Sequence, residues 1–221
     1  MIITDYITTT NYTDRGGQEI DRLTVHCVVG QLPAIQVAKM FTPQRKASAN
    51  YIIGKDGEVV RNVPEQFRAW TSGTGNKKGS NDMRAITIEV ASDTTKPYAF
   101  NNKAYSGLVD LAVDICKRYN KHLVWIPNKQ QALNYVCKKD EMLITLHRWF
   151  QAVECPGDWF IEHIPNFVET VNRAVGDTTG QQGTAGNKLY RVQVGAFRSR
   201  ENAENFLKQV KAKGFTDSFI V

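Results

Sequence analysis

The stretch MLITLHRWFQAVECPGDW, Met142 to Trp159, decides how this chain reads. Met142 to Leu146 is apolar but for Thr145, the pattern of a buried strand or helix end. His147 follows at once. Cys155 opens a Cys-Pro-Gly turn, and a helical pattern begins near Trp159. A second histidine, His26, closes another apolar alternation, Leu23-Thr24-Val25-His26. Two imidazoles and a thiolate, delivered by the ends of separate elements, are three ligands for a tetrahedral zinc. Three ligands rather than four is the catalytic arrangement, because the fourth position stays open for water. The alternative for either histidine taken alone is a core residue beside a structural turn.

Outward from that stretch, strands are expected at Leu23 to Val29, Ala49 to Ile53, Glu58 to Val63 and Ala85 to Ala91. Gly54-Lys55-Asp56-Gly57 is a hairpin signal between the second and third. Pro33 to Phe41 reads as a short helix with proline in its first turn. Tyr105, Leu108, Val109, Ala112, Ile115, Cys116 and Tyr119 recur at helical spacing. Trp159 to Val175 reads as a last helix, kinked or split at Pro165. Residues 1–21 are polar, with Asn11, Asp14, Gly16 and Gly17 as turn formers. The expected class is α/β, a mostly antiparallel or mixed central sheet flanked by helices.

Four segments carry a resemblance: RLTVHC around His26, SANYIIGKDGEVVRNVPE around Tyr51, AITIEVASDT around Glu89, and TLHRWFQAVECPGDW around His147 and Cys155. In this order they resemble the zinc-dependent type 2 N-acetylmuramoyl-L-alanine amidases, which share a fold with peptidoglycan recognition proteins and occur in phage endolysins. The resemblance implies zinc as cofactor, with His26, His147 and Cys155 as ligands. It implies hydrolysis of the bond between N-acetylmuramic acid and L-alanine in peptidoglycan. Glu89, in an otherwise apolar strand, is then the general base, the alternative being an exposed-face glutamate. Tyr51 matches a tyrosine beside the metal whose hydroxyl stabilises the oxyanion, the alternative being a core strand tyrosine. Trp70 is placed on the groove wall, or in the core. Many members carry lysine or threonine where this chain has Val153, so either Arg148 or a backbone N–H substitutes, or transition-state stabilisation rests on zinc and Tyr51. Trp70 and Arg148 are the expected substrate contacts.

Gly176 to Asn187, GDTTGQQGTAGN, is small and polar and reads as a flexible linker. KLYRVQVGAF then alternates as a strand, SRENAENFLKQVKAKGF reads as a helix capped by Ser199 and Gly214, and TDSFIV reads as a strand. This βαβ tail resembles half of a SPOR (sporulation-related) repeat, a peptidoglycan-binding module. The division is thus a catalytic domain over 1–175, a linker over 176–187 and a wall-binding segment over 188–221. Half a module leaves edges and an apolar helix stripe uncovered, which implies a homodimer through 188–221 or fold-back onto the catalytic domain.

The chain has 221 residues, 42% hydrophobic, with a formal net charge of +6, which excludes a disordered chain and suits an anionic partner such as a cell wall. No basic stripe interleaved with aromatics points to nucleic acid. The N-terminal segment lacks a cationic n-region and a long apolar core, and no segment suits membrane insertion. Synthesis in the cytoplasm and action on the wall after release are therefore expected. Cys27, Cys116, Cys137 and Cys155 show no paired spacing and read as thiols, with Cys27 and Cys116 in the core. A phage or prophage endolysin is the expected context, and an amidase of sporulation mother-cell lysis is the runner-up. The rival from another class is a catalytically silent peptidoglycan-binding protein on the same fold.

Overall fold

A computed structural model describes residues 2–7, 9–176, 195, 197 and 199–213. They fall into two compact units, Met1–Gly180 and Gln181–Val221. The strands are β1 (Ile3–Asp5), β2 (Tyr12–Asp14), β3 (Arg22–Cys27), β4 (Tyr51–Ile53), β5 (Val59–Arg61), β6 (Phe67–Ala69), β7 (Ala85–Val90), β8 (His122–Val124) and β9 (Glu141–Leu146). The helices are α1 (Ala34–Met40), α2 (Asn81–Arg84), α3 (Asn102–Tyr119), α4 (Lys129–Asn134), α5 (Asp158–Val175) and α6 (Arg200–Ala212).

Among the described residues, seven strands form one sheet in the order β1-β5-β4-β7-β3-β9-β8. The sheet is mixed as expected, but parallel pairs dominate it: only β4 and β5 run antiparallel. Helical crossovers explain this, since parallel neighbours need a long connection that a tight turn cannot make. Beyond the expected strands lie β1, β2, β6 and β8. Residues 1–21 are therefore more than turns, because β1 pairs with β5 and β2 with β6. Three-residue strands are too short for alternation to show, so pairing rather than pattern makes them.

Side chains alternate between faces along each strand, and residues paired across a parallel ladder share a face. Leu23, Val25, Tyr51, Ile86 and Ile88 fill one side with the apolar faces of α3 and α5. Ile52 and Val60 pack on the other side against Ala34, Val37, Ala38 and Phe41. Glu58 caps α1 by accepting from the Ala34 N–H at 2.7 Å. Gly54 permits that contact, since a Cβ there would stand 1.9 Å from the Glu58 carboxylate.

The helix expected over Trp159 to Val175 is neither split nor ended by Pro165, which lies inside α5. Phe160, Ile164, Phe167 and Val171 lie at helical spacing and are fully buried. Burying each contributes about 1.5–3 kcal/mol, which together exceeds the ~3 kcal/mol cost of an interior proline.

In the second unit α6 begins after Ser199, whose hydroxyl accepts from the Asn202 N–H at 3.5 Å. Ala203, Phe206, Leu207 and Val210 are half-buried along one stripe. Of the strand expected over 188–197 only Gly195 and Phe197 are described, and the strand expected over 216–221 lies outside the described residues, as do Gly214 and most of the expected linker. No described helix is long and apolar enough to cross a membrane.

Candidate metal centre

His26 is the penultimate residue of β3, and His147 directly follows the adjacent parallel strand β9. The carboxyl ends of parallel strands are where open α/β sheets expose their binding crevices. His26 is buried and His147 is half-buried at the start of a 3₁₀ turn, His147–Trp149. Their rings lie 4.8 Å apart between centroids. Cys155 reaches the same point from the loop before α5, its carbonyl accepting from the Arg148 N–H at 3.1 Å. Gly157 lets that loop close: its φ is +92°, and a Cβ would stand 2.6 Å from the Pro97 carbonyl.

One ligand atom each from His26, His147 and Cys155 lies within 4.8 Å of the others. Cys155 Sγ is 3.4 Å from His26 Nδ1. Bond lengths of about 2.0–2.1 Å to nitrogen and 2.3 Å to sulfur place such atoms about 3.5 Å apart around a tetrahedral zinc. The His147 Nε2 is buried with no hydrogen-bond partner. An orphaned buried nitrogen is costly unless something fills the site. Burial, then the nearby His147, holds His26 well below the usual imidazole range, and burial lowers His147 too, against an opposing pull from Asp82. Neutral imidazoles are the ligand-competent form. The Cys155 thiol is pushed well up, first by hydrogen bonding with Cys27 and then by burial. The donor set therefore fits zinc, which would supply the positive charge that stabilises the thiolate.

These residues lie within a match to the N-acetylmuramoyl-L-alanine amidase family over residues 16–158, which covers more than half of the chain. The chain belongs to this family. A SPOR domain model matches residues 173–221. The 1,6-anhydro-N-acetylmuramyl-L-alanine amidase AmpD of Escherichia coli is 27% identical over 92 residues, 38% of this chain and 50% of that protein. The chain thus spans about half the length of that curated relative. Among solved structures, PlyL superposes with a TM-score of 0.55 at 19% identity, covering 77% of this chain and 97% of that one. The PlyG catalytic domain gives 0.57 at 18%, covering 82% and 99%. A selenomethionine AmpD derivative gives 0.52 at 20%, covering 75% and 94%. These likenesses show the fold of the chain.

Glu89 pairs in register with His26 across β3 and β7, so both side chains stand on the same face. No described residue makes a hydrogen bond or ion pair to its carboxylate. Burial pushes its pKa up to about 8, with Arg45 pulling the other way.

Tyr51 lies apart from the candidate metal ligands. It pairs in register with Ile88, whereas Glu89 pairs with Ile52, so Tyr51 points to the opposite face of the sheet. Its buried hydroxyl donates to Glu65 at 2.8 Å. Arg148, an expected substrate contact, is engaged elsewhere. Its guanidinium donates to Asp158 at 2.8 Å and to the Glu154 carbonyl, and it lines a shallow outer hollow with Val153. Trp70 lines a groove of about 380 Å³ together with Arg68, Asp82, His147 and Gln151.

Sequence reasoning missed the polar bed under the histidines. Ser72 Oγ lies 3.4 Å from His26 Nε2, and the Ser72 N–H donates to Asp82 at 2.8 Å. Thr24 and Thr145 hydroxyls meet at 2.7 Å, and both contact Asn81. A readable signal existed in the threonines of both apolar strands, since a buried hydroxyl needs a partner. Cys27 packs against the main core as expected, but its thiol and N–H also interact with Cys155.

Proposed function

We propose that this chain hydrolyses the amide bond between the lactyl group of N-acetylmuramic acid and L-alanine in peptidoglycan, with zinc held by His26, His147 and Cys155. The observation that carries the reading is the convergence of those three donors, one of them an orphaned buried nitrogen, within a match to the amidase family. Zinc in this site supplies Lewis-acid polarisation of the scissile carbonyl and of the attacking water. His26 presents Nδ1 to the site, so its Nε2–H faces Ser72, which Asp82 holds in turn. Glu89 stands on the same face without a partner. Burial raises its pKa, and the positive charge of a bound zinc would offset that rise and keep the carboxylate ionised for general-base work, in which it takes a proton from water and returns it to the leaving amine. Trp70 offers an aromatic wall for sugar or stem peptide.

The test is mass spectrometry of purified peptidoglycan after digestion. Stem peptides with a free L-alanine amino group, and glycan with intact lactyl carboxyls, are expected. Cleavage only between sugars, or within the stem, would sink the reading.

The match over residues 173–221 supports wall attachment by the tail. We read the context as a phage or prophage endolysin, made in the cytoplasm and acting on the wall after release. Expression in a host with and without a membrane-permeabilising partner tests this: lysis should require the partner. The half-buried stripe of α6 supports pairing of tails in a homodimer. Light scattering should show twice the chain mass, and a monomer mass would discard the dimer.

A further inference from the structure

The groove beside His147 needs a hydrogen-bond donor for the oxygen on which negative charge grows during amide hydrolysis. The expected donors are elsewhere. Tyr51 faces the other side of the sheet, Arg148 is committed to Asp158 and Glu154, and Val153 is apolar. Thr71 already donates its hydroxyl hydrogen within the bed below, and the Trp70 Nε1, though it has no partner, is buried out of a substrate's reach.

Gln151 is placed differently. It closes the turn that His147 opens, its N–H donating to the His147 carbonyl at 3.2 Å. Its side chain is exposed and lines the groove with His147, Trp70 and Asp82. The carboxamide leans across onto the facing loop at Gly73. A Cβ on Gly73 would stand 1.6 Å from Gln151 Nε2, so a side chain there would displace the carboxamide. Gly73 has φ +65°, a backbone state glycine adopts without strain. The same carboxamide is within hydrogen-bonding reach of the His147 ring. With Nε2 lodged over Gly73, the carbonyl oxygen is the atom free to accept from the imidazole. No described acceptor takes the NH2 hydrogens.

We propose that Gln151 is a two-sided catalytic residue: its carbonyl oxygen fixes the His147 ring, and its NH2 group donates to the scissile carbonyl oxygen of the substrate. This rests on the amidase reading above. The carbonyl side fixes the orientation of the His147 ring and which of its nitrogens carries the proton, leaving the other for the metal. The NH2 side supplies the donor that Val153 lacks.

Two substitutions at this exposed position separate the roles without threatening the fold. Gln151→Glu keeps an acceptor for the His147 ring but loses the donor. Gln151→Ala loses both. Each is assayed for zinc affinity, by competition with a chromophoric chelator, and for kcat and KM on purified peptidoglycan. Gln151→Glu should hold zinc as tightly as the parent and lose about 10²-fold in kcat, the usual loss for one oxyanion donor. Gln151→Ala should show the same loss and also bind zinc about 10–100-fold more weakly. Parent-like turnover in Gln151→Glu would overturn the donor role. Parent-like zinc affinity in Gln151→Ala would overturn the His147 contact. An inactive parent would instead sink the amidase reading, and the zinc measurements would still judge that contact.

Discussion

The two faces of β4 and β7 each hold a half-buried carboxylate, and the two are treated in opposite ways. On the helix-covered face Glu65 accepts from Tyr51 at 2.8 Å, from Tyr119 at 2.9 Å and from Arg118 at 2.7 and 2.8 Å. Burial alone would raise its pKa, but these donors overcome burial and hold it below the usual range. On the other face Glu89 has no described partner, and burial pushes it up to about 8. His147 Nε2 is orphaned on that side as well. A satisfied buried cluster belongs to stability. A cluster of good ligands left unsatisfied is the signature of a site waiting for a cation and a substrate.

The sharpest way to break this comparison is at the ligands. Cys155→Ser and His147→Ala should each abolish measurable hydrolysis and stoichiometric zinc binding while the fold survives, as read by circular dichroism. A variant that stays active without metal would remove the distinction between the faces. Glu89→Gln comes next. It should lower kcat by about 10²–10⁴-fold with zinc retained, the range for loss of a general base. Full turnover in this variant would assign the proton transfer elsewhere.

On the satisfied face the expected effects are on stability. Glu65→Gln should cost about 1–3 kcal/mol in denaturant unfolding, through weakened charge-assisted hydrogen bonds, with kcat within about twofold of the parent. The pH sign follows from the lowered pKa. Glu65 contributes its full stabilisation above its unfolded value of about 4.5, and that contribution is lost as pH falls through its lower folded value. The parent should therefore lose stability over that acid window, and Glu65→Gln should lose less. An identical acid profile in both would show that Glu65 is not held low. The smallest effect is expected for Tyr51→Phe, about 1 kcal/mol of stability and no change in kcat. A large fall in its kcat would return Tyr51 to the catalytic side.

The error at Tyr51 shows where sequence reading stops. Which face a strand residue occupies depends on register with the neighbouring strand, and a shift of one residue swaps every side chain to the other face. Local sequence makes Ala49 to Ile53 a strand but does not show that Ile52, rather than Tyr51, lies beside Glu89. His26, His147 and Cys155 were legible as candidate ligands because each sits where an apolar strand or turn signal ends, within segments that resemble the family in order, and the structure brings the three together. Ser72 and Gln151 sit in loops whose contacts arise only when distant segments meet, so no local pattern marks them. The strands β1 and β2 escaped for a similar reason, being too short to show alternation. The long helices α3 and α5 were readable because their apolar stripes run over many turns.

Titration of the metal-free protein with cobalt(II), followed by thiolate-to-metal charge-transfer absorption, tests the central claim most directly, because it sees the thiolate and the metal together and needs no substrate. The band should saturate at about one cobalt per chain, as three ligands closing one tetrahedral site require. It should persist in Glu89→Gln and Tyr51→Phe and vanish in Cys155→Ser. A protein that binds cobalt with no thiolate band, or whose band survives Cys155→Ser, would contradict the assignment of His26, His147 and Cys155 as the metal centre.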